Sequence, residues 1–357
     1  MSADATPGHP RQRALVVAAR AGDVGLVRNL LGEGADPNGR AGTDRFDDPP
    51  LAYAVECGSL ECASALIDAG ADVNADLGYL CIAARSPGVT MLRLLLEAGA
   101  DPNWGDDVTT LCESVARGAG DVDNAAAMLR ELREHGADID NGRRFPYLWS
   151  AAQSGDADAV EALLLAGADP QIQPNPLGGA VWGTGALESD QQTARTIDLL
   201  VAAGCDPFVT DENGLTLMHG ALMPYSHGRG FESSDGINIE AVRALRRHGL
   251  SLDITFPDGT RPLHVAALEP DPVAVAELLG AGAKLDDRTA TGQTALELAT
   301  ARKRELEARA ERRAGAPPGS EDESFRDALL TSIIPDADGT IALLTGDRLE
   351  PDLLTDC

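Results

Sequence analysis

The chain has 357 residues, with 57 acidic against 29 basic side chains, a formal net charge of −28 at pH 7, and aromatic residues at only 4%. An acidic surface of this size repels phosphate backbones and anionic lipid. It therefore disfavours direct nucleic-acid or membrane-surface binding and would steer a basic partner inward, although solubility alone accounts for the same charge. No apolar run is long enough to span a bilayer, and Met1–Pro10 lacks the charged-then-apolar order of a signal peptide.

Taken from the N-terminus, residues 1–12 are polar and proline-containing and are expected to be disordered. Helical patterning follows, and it repeats. Val27–Pro37 reads VRNLLGEGADP, Ala63–Val73 reads ASALIDAGADV, and Met91–Pro102 reads MLRLLLEAGADP. The same phrase returns at Met128–Ile139 (MLRELREHGADI), Ala159–Pro170 (AVEALLLAGADP), Ile197–Pro207 (IDLLVAAGCDP), Val242–Leu252 (VRALRRHGLSL) and Ala276–Leu285 (AELLGAGAKL). The marker glycines 34, 70, 99, 136, 167, 204, 249 and 282 are 36, 29, 37, 31, 37, 45 and 33 residues apart, the spacing of a stacked array. Each Leu-Leu pair lies on one stripe of a short helix. The glycine behind it can take the left-handed conformation that closes a helix, and the following Asp suits a turn. One such unit cannot bury its apolar face alone, so neighbours must stack.

A second, preceding helix completes each unit. It is clearest at Arg261–Ala267 (RPLHVAA) and looser at Pro50–Val55 (PLAYAV), Gly78–Ala84 (GYLCIAA), Pro146–Ala152 (PYLWSAA) and Gln293–Ala299 (QTALELA). The first unit opens on Ala14–Ala19 without a Pro-Leu entry, as an end cap does. Two units are enlarged, by Trp182–Asp190 and by Met223–Gly236 (MPYSHGRGFESSDG). The helix running through Arg309 has no trailing Gly-Ala-Asp and closes the array.

An entry helix like Arg261–Ala267, followed by a Leu-Leu helix and a Gly-Ala-Asp turn, with looser versions making about eight tandem copies, resembles the ankyrin-repeat family. The resemblance covers residues 13–313 and implies an all-α solenoid of stacked helix-turn-helix units with short β-turn fingers. It further implies that partners dock on the fingers and first helices, and that His219 and His264 tie one turn to the next. Beyond it, residues 314–357 form a Pro/Gly linker and an acidic tail, with a short helix expected over 324–334 where Phe325, Leu329 and Ile333 share a face. The tail either folds back on the basic helix carrying Arg302, Lys303 and Arg304 or stays mobile. Asp336-Ala337-Asp338-Gly339 begins like a calcium loop, but its glycine falls two positions early.

Little in the sequence points to chemistry. Six scattered cysteines have no metal-ligand spacing and read as small core residues of a reducing cytosol. Gly183-Thr184-Gly185 lacks the rest of a phosphate cradle. Ser226-His227 has no third partner, which leaves an enzymatic site in residues 223–236 as an alternative only. No cofactor or metal is expected. The fingers carry Phe46, Trp104, Phe145, Phe208 and Phe256, each of which either anchors a partner or folds over its neighbour. Asp47, Asp48, Asp106, Asp107, Asp211 and Asp258 stand near them, and Trp182, Tyr225, His227, Arg229 and Phe231 form a second cluster in the enlarged units. The reading is a non-enzymatic scaffold or inhibitor, cytoplasmic and monomeric, that grips a protein, with the charge favouring a basic one. The alternative from another class is an acidic nucleic-acid mimic that occupies a DNA-binding protein. With lysine present only at 284 and 303 and Ala and Gly abundant, the composition also suggests a bacterial gene.

Overall fold

The computed structural model describes residues 9–41, 48–75, 78–85, 88–103, 115, 121–140, 145–182, 190–211, 213–223, 237–269, 271–314 and 335–346. They fold into two compact units, one of Met1–Ala151 with Asp158–Pro174 and the other of Ala152–Ala157 with Asn175–Cys357. The described residues are helical apart from an isolated bridge between Thr210 and Thr216.

In the first unit the helices are α1 (His9–Ala21), α2 (Val24–Gly32), α3 (Pro50–Glu56), α4 (Leu60–Asp68), α5 (Gly78–Ala84), α6 (Thr90–Glu97) and α7 (Val122–Glu134). Most of α8 (Tyr147–Gln153) and α9 (Ala157–Leu165) also belongs to it. They stack in two rows, with α1, α3 and α5 in one and α2, α4, α6 and α7 in the other. The second unit repeats the plan with α10 (Pro176–Trp182), α11 (Asp190–Ala202), α12 (Leu217–Leu222), α13 (Ile239–Arg247), α14 (Pro262–Leu268), α15 (Pro272–Gly280) and α16 (Ala295–Ala314). Here α10, α12, α14 and α16 form one row and α11, α13 and α15 the other.

The Leu-Leu stripes make the core: Leu66, Leu92 and Leu95 in one unit and Leu200, Leu245 and Leu278 in the other are fully buried. Helices α2, α4, α7, α13 and α15 start on side-chain caps, with Asp23 accepting from the Leu26 amide at 3.0 Å and Asp271 from the Ala274 amide at 2.9 Å. They end on the marker glycines, which have φ between +86° and +102°. At Gly34, for example, its own N–H donates to the Leu31 carbonyl and the Ala35 N–H reaches back to the Leu30 carbonyl, each at 3.0 Å.

The N-terminal end differs from the sequence reading, and the C-terminal end follows its fold-back alternative. Helix α1 starts at His9, inside the stretch expected to be disordered, and Gln12 is only 8% exposed. Its carboxamide accepts the Asp36 N–H at 3.2 Å and donates to the Asp36 carbonyl at 2.9 Å, closing the first turn from the N-terminal side. At the other end, the helix expected over 324–334 lies outside the described residues, and residues 335–345 form α17. The segment Asp336-Ala337-Asp338-Gly339 is therefore helix and not an ion-binding loop. Ala337, Thr340 and Leu344 are buried, and Asp338 pairs with Lys303 of α16. Gly339 packs so closely on Pro272 that an added Cβ would stand 3.3 Å from the proline ring. The tail thus covers the last helix pair.

That contact carries a pH signature. Burial holds the Asp336 carboxyl above the usual carboxylate range, with the charge of Asp271 adding to the effect, and burial holds Asp271 up as well. A carboxyl raised in the docked state penalises docking while it is ionised, and the penalty disappears as pH falls through its raised pKa. Amide exchange in residues 337–344, corrected for intrinsic rate, is therefore expected to slow as pH is lowered from neutral toward that range. Protection that weakens over the same interval would contradict this.

Candidate protein-binding surface

In the first unit the turns behind the marker glycines are joined by carboxamides. The turn aspartates each accept the amide of the residue two positions on: Asp36 from Asn38, Asp72 from Asn74 and Asp101 from Asn103, all at 2.9 Å. That bend aims each asparagine at the next turn. Asn38 donates to the Gly70 carbonyl at 2.9 Å and accepts from the Asp72 N–H at 2.7 Å. Asn74 does the same to Gly99 and Asp101 at 3.0 and 2.9 Å, and Asn103 to Gly136 and Asp138 at 2.7 and 3.3 Å. Asp140 retains only the accepting half, taking the Asp169 N–H at 2.7 Å.

The second unit uses hairpins and histidines instead. Three tight turns carry Gly214, Gly259 and Gly292 at φ of +77°, +80° and +81°. They are closed by Asp211 N–H to Leu215 C=O, Phe256 N–H to Thr260 C=O and Thr289 N–H to Gln293 C=O at 2.9, 2.9 and 3.0 Å. His219 accepts the Thr216 N–H on Nδ1 at 3.0 Å, which leaves Nε2 to donate to the Thr255 carbonyl at 3.3 Å. His264 repeats this with the Arg261 N–H at 3.1 Å and the Asp287 carbonyl at 3.0 Å. At the third hairpin Glu297 takes the place of the histidine and accepts the Thr294 N–H at 2.8 Å. The structural role expected for both histidines holds.

The sequence-selected residues separate on this frame. Phe145, 36% exposed, stacks on Trp149 of the helix that follows it, with ring centres 4.2 Å apart. Phe256 is half-buried and packs edge-to-face with His219, the ring centres 4.9 Å apart. Phe208 alone of the three stays open, at 62% exposure. Asp211 and Asp258 are exposed but not free charges. Asp211 accepts the Leu215 and Asn213 amides at 2.8 Å, and Asp258 accepts the Thr260 amide at 2.9 Å and its hydroxyl at 2.7 Å. The Leu215 amide bond holds the Asp211 carboxyl below the usual range, and the Thr260 amide bond does so for Asp258. Phe46, Asp47, Trp104, Asp106, Asp107, Tyr225, His227, Arg229 and Phe231 lie outside the described residues, as does most of the 223–236 insertion. Asp48 is half-buried. Trp182, 40% exposed, rests on Gly178 and Gly220, where no side chain intervenes.

Polar ties also run along the second-row helices. Arg93 donates through Nε and one Nη to Glu131 at 3.0 and 2.8 Å, and Arg243 does the same to Glu277 at 3.1 and 3.0 Å. The Arg93 bonds hold the Glu131 carboxyl, nearly buried, below its ordinary range. Among the described residues no group of three or more His, Cys, Asp or Glu is placed to hold a metal ion, and no helix is long and apolar enough to cross a membrane.

Residues 3–77 match a family model described as ankyrin repeats (3 copies). The chain is 28% identical over 309 residues to the E3 ubiquitin-protein ligase KEG of Arabidopsis thaliana, covering 81% of this chain and 18% of that protein. It is 31% identical over 138 residues to the mitochondrial disaggregase of Bos taurus, covering 37% of this chain and 20% of that one. The chain thus spans about a fifth of the length of either relative. Among solved structures, the ankyrin repeat domain of Bcl-3, an IkappaB family member, aligns with a TM-score of 0.45 and 19% identity, over 64% of this chain and 97% of that one.

Proposed function

We propose, from the premise that the chain is an ankyrin-repeat protein, that it is a non-enzymatic scaffold whose hairpins and turns grip a protein partner. The observation that carries the reading is Phe208, a large apolar side chain held 62% exposed on a turn. Such a residue gains most when a partner covers it. Phe256 and Phe145 are the supporting contacts, and Trp104 and Phe46 extend the set. The charge of −28 favours a basic partner through steering. The protein acts as a cytoplasmic monomer on this reading, and the catalytic name of its plant relative belongs to that much longer protein.

The test is affinity capture followed by mass spectrometry, comparing the wild-type chain with a Phe145→Ala, Phe208→Ala, Phe256→Ala variant of unchanged circular dichroism. Loss of a specific captured protein is expected. An unchanged set of captured proteins would remove the aromatics from the interface. For a basic partner, affinity falls as salt rises over the range in which surface charges become screened. Competition between the captured partner and DNA would instead favour the nucleic-acid mimic.

A further inference from the structure

Beside Phe208 stands a pair of backbone groups of the kind that the first unit closes with its own side chains. Asn38, Asn74 and Asn103 each satisfy the carbonyl of a marker glycine and the N–H two residues beyond it. Phe208 occupies the same place in its turn, since its N–H bonds the Asp206 carboxylate at 2.9 Å just as those asparagines bond theirs. The groups it faces are the Gly249 carbonyl and the Ser251 N–H. Its ring lies against Gly249, with Cζ 3.8 Å from where a Cβ would be, and it can neither donate nor accept. Gly249 and Ser251 are exposed, and that carbonyl and N–H make no hydrogen bond among the described residues. A cavity of about 500 Å³ opens alongside, lined in part by Arg246, Leu250, Ser251, Asp253, Arg261 and Lys284.

We propose that this junction is a docking point for a partner protein that presents an asparagine side chain next to an apolar residue. The inference rests on the scaffold reading above and specifies the chemistry the partner brings. A primary carboxamide carries a donor and an acceptor on one edge, which matches a neighbouring carbonyl and N–H. A trans peptide group points its N–H and C=O to opposite sides and does not match. A carboxylate takes only the N–H, as Asp140 does with Asp169. Phe208 breaks the turn's own pattern and gives the isolated chain an exposed ring in place of two hydrogen bonds. Departures of that kind mark function. The apolar neighbour of the incoming asparagine covers the ring, while the cavity accepts the flanking backbone.

The test uses nitrogen-15 spectra of the full chain titrated with two probes, acetyl-Leu-Asn-Leu N-methylamide and acetyl-Leu-Asp-Leu N-methylamide. The Asn probe is expected to shift the Ser251 amide saturably, with the Asp probe at least about fivefold weaker, the loss of one of two hydrogen bonds. Phe208→Asn supplies the carboxamide internally. It is expected to abolish the response and to raise the unfolding midpoint by about 2 °C. No saturable shift at Ser251, equal response to both probes, or a response that survives Phe208→Asn would overturn the proposal. If the probes fail while the triple alanine variant still loses its partner, the scaffold reading stands and only the carboxamide is wrong. If the probes succeed while capture is unchanged, the junction binds and the wider aromatic surface does not.

Discussion

His264→Ala is expected to destabilise the second unit by roughly 2–4 kcal/mol, the combined effect of a buried void and two unpaired backbone groups. The ring is 1% exposed, so water does not replace it. Its loss leaves the Arg261 N–H and the Asp287 carbonyl without the partners they have at 3.1 and 3.0 Å. Those two groups belong to successive turns, so the damage spreads across a junction and not just within one helix. Glu297 is the internal control. It holds the equivalent place one hairpin later, but its side chain is 57% exposed, and Glu297→Ala should cost less than about 1 kcal/mol, the ordinary value of an exposed cap. Denaturant unfolding of both variants, with amide exchange over residues 256–293, reads the difference. Equal losses would mean that His264 caps its own helix and ties nothing.

The second large effect is expected at Gly259. Alanine there meets a backbone at φ +80° and places its Cβ 2.9 Å from the Ala290 Cβ and 3.0 Å from the Ala290 nitrogen. Left-handed strain alone costs about 1–2 kcal/mol. The contact adds to it, because the obstacle is the backbone of the neighbouring hairpin and not a flexible side chain. Gly214 and Gly292 separate the two contributions. Their φ values are +77° and +81°, yet an added Cβ meets nothing within 4 Å. Gly259→Ala should therefore lose at least twice what Gly214→Ala loses in the same unfolding assay. Comparable losses would show that the hairpins do not press on each other at Ala290.

What the sequence revealed was what each unit does to itself. Gly-Ala-Asp marks a helix end because the left-handed position and the turn acceptor are local demands, and all eight glycines have positive φ. His219 and His264 were visible because each falls at the third position of its entry helix, with Leu217 or Leu263 just before it. What one unit does to the next was not legible. The asparagines stood in plain sight as Asp-Pro-Asn and Asp-Val-Asn, but their partners lie 25 to 35 residues away and become neighbours only once the turns stack. Gln12 was hidden for the same reason, since a polar window says nothing about a carboxamide that meets Asp36 across a turn. The finger aspartates misled in the opposite direction. Asp211 and Asp258 look like free surface charge, yet each spends its oxygens on its own hairpin. Phe145 and Phe256 lean on Trp149 and His219, which left Phe208 as the most exposed of the described finger aromatics.

The asparagine clips of the first unit have a bearing on how such a chain grows. Every clip is the same chemical sentence spoken by one module to the next, so a copied segment arrives already able to address both neighbours. Lengthening or shortening by whole modules between Asn38 and Asn103 therefore leaves the grammar intact. A copy made across Phe208 would duplicate an unanswered junction along with the scaffold.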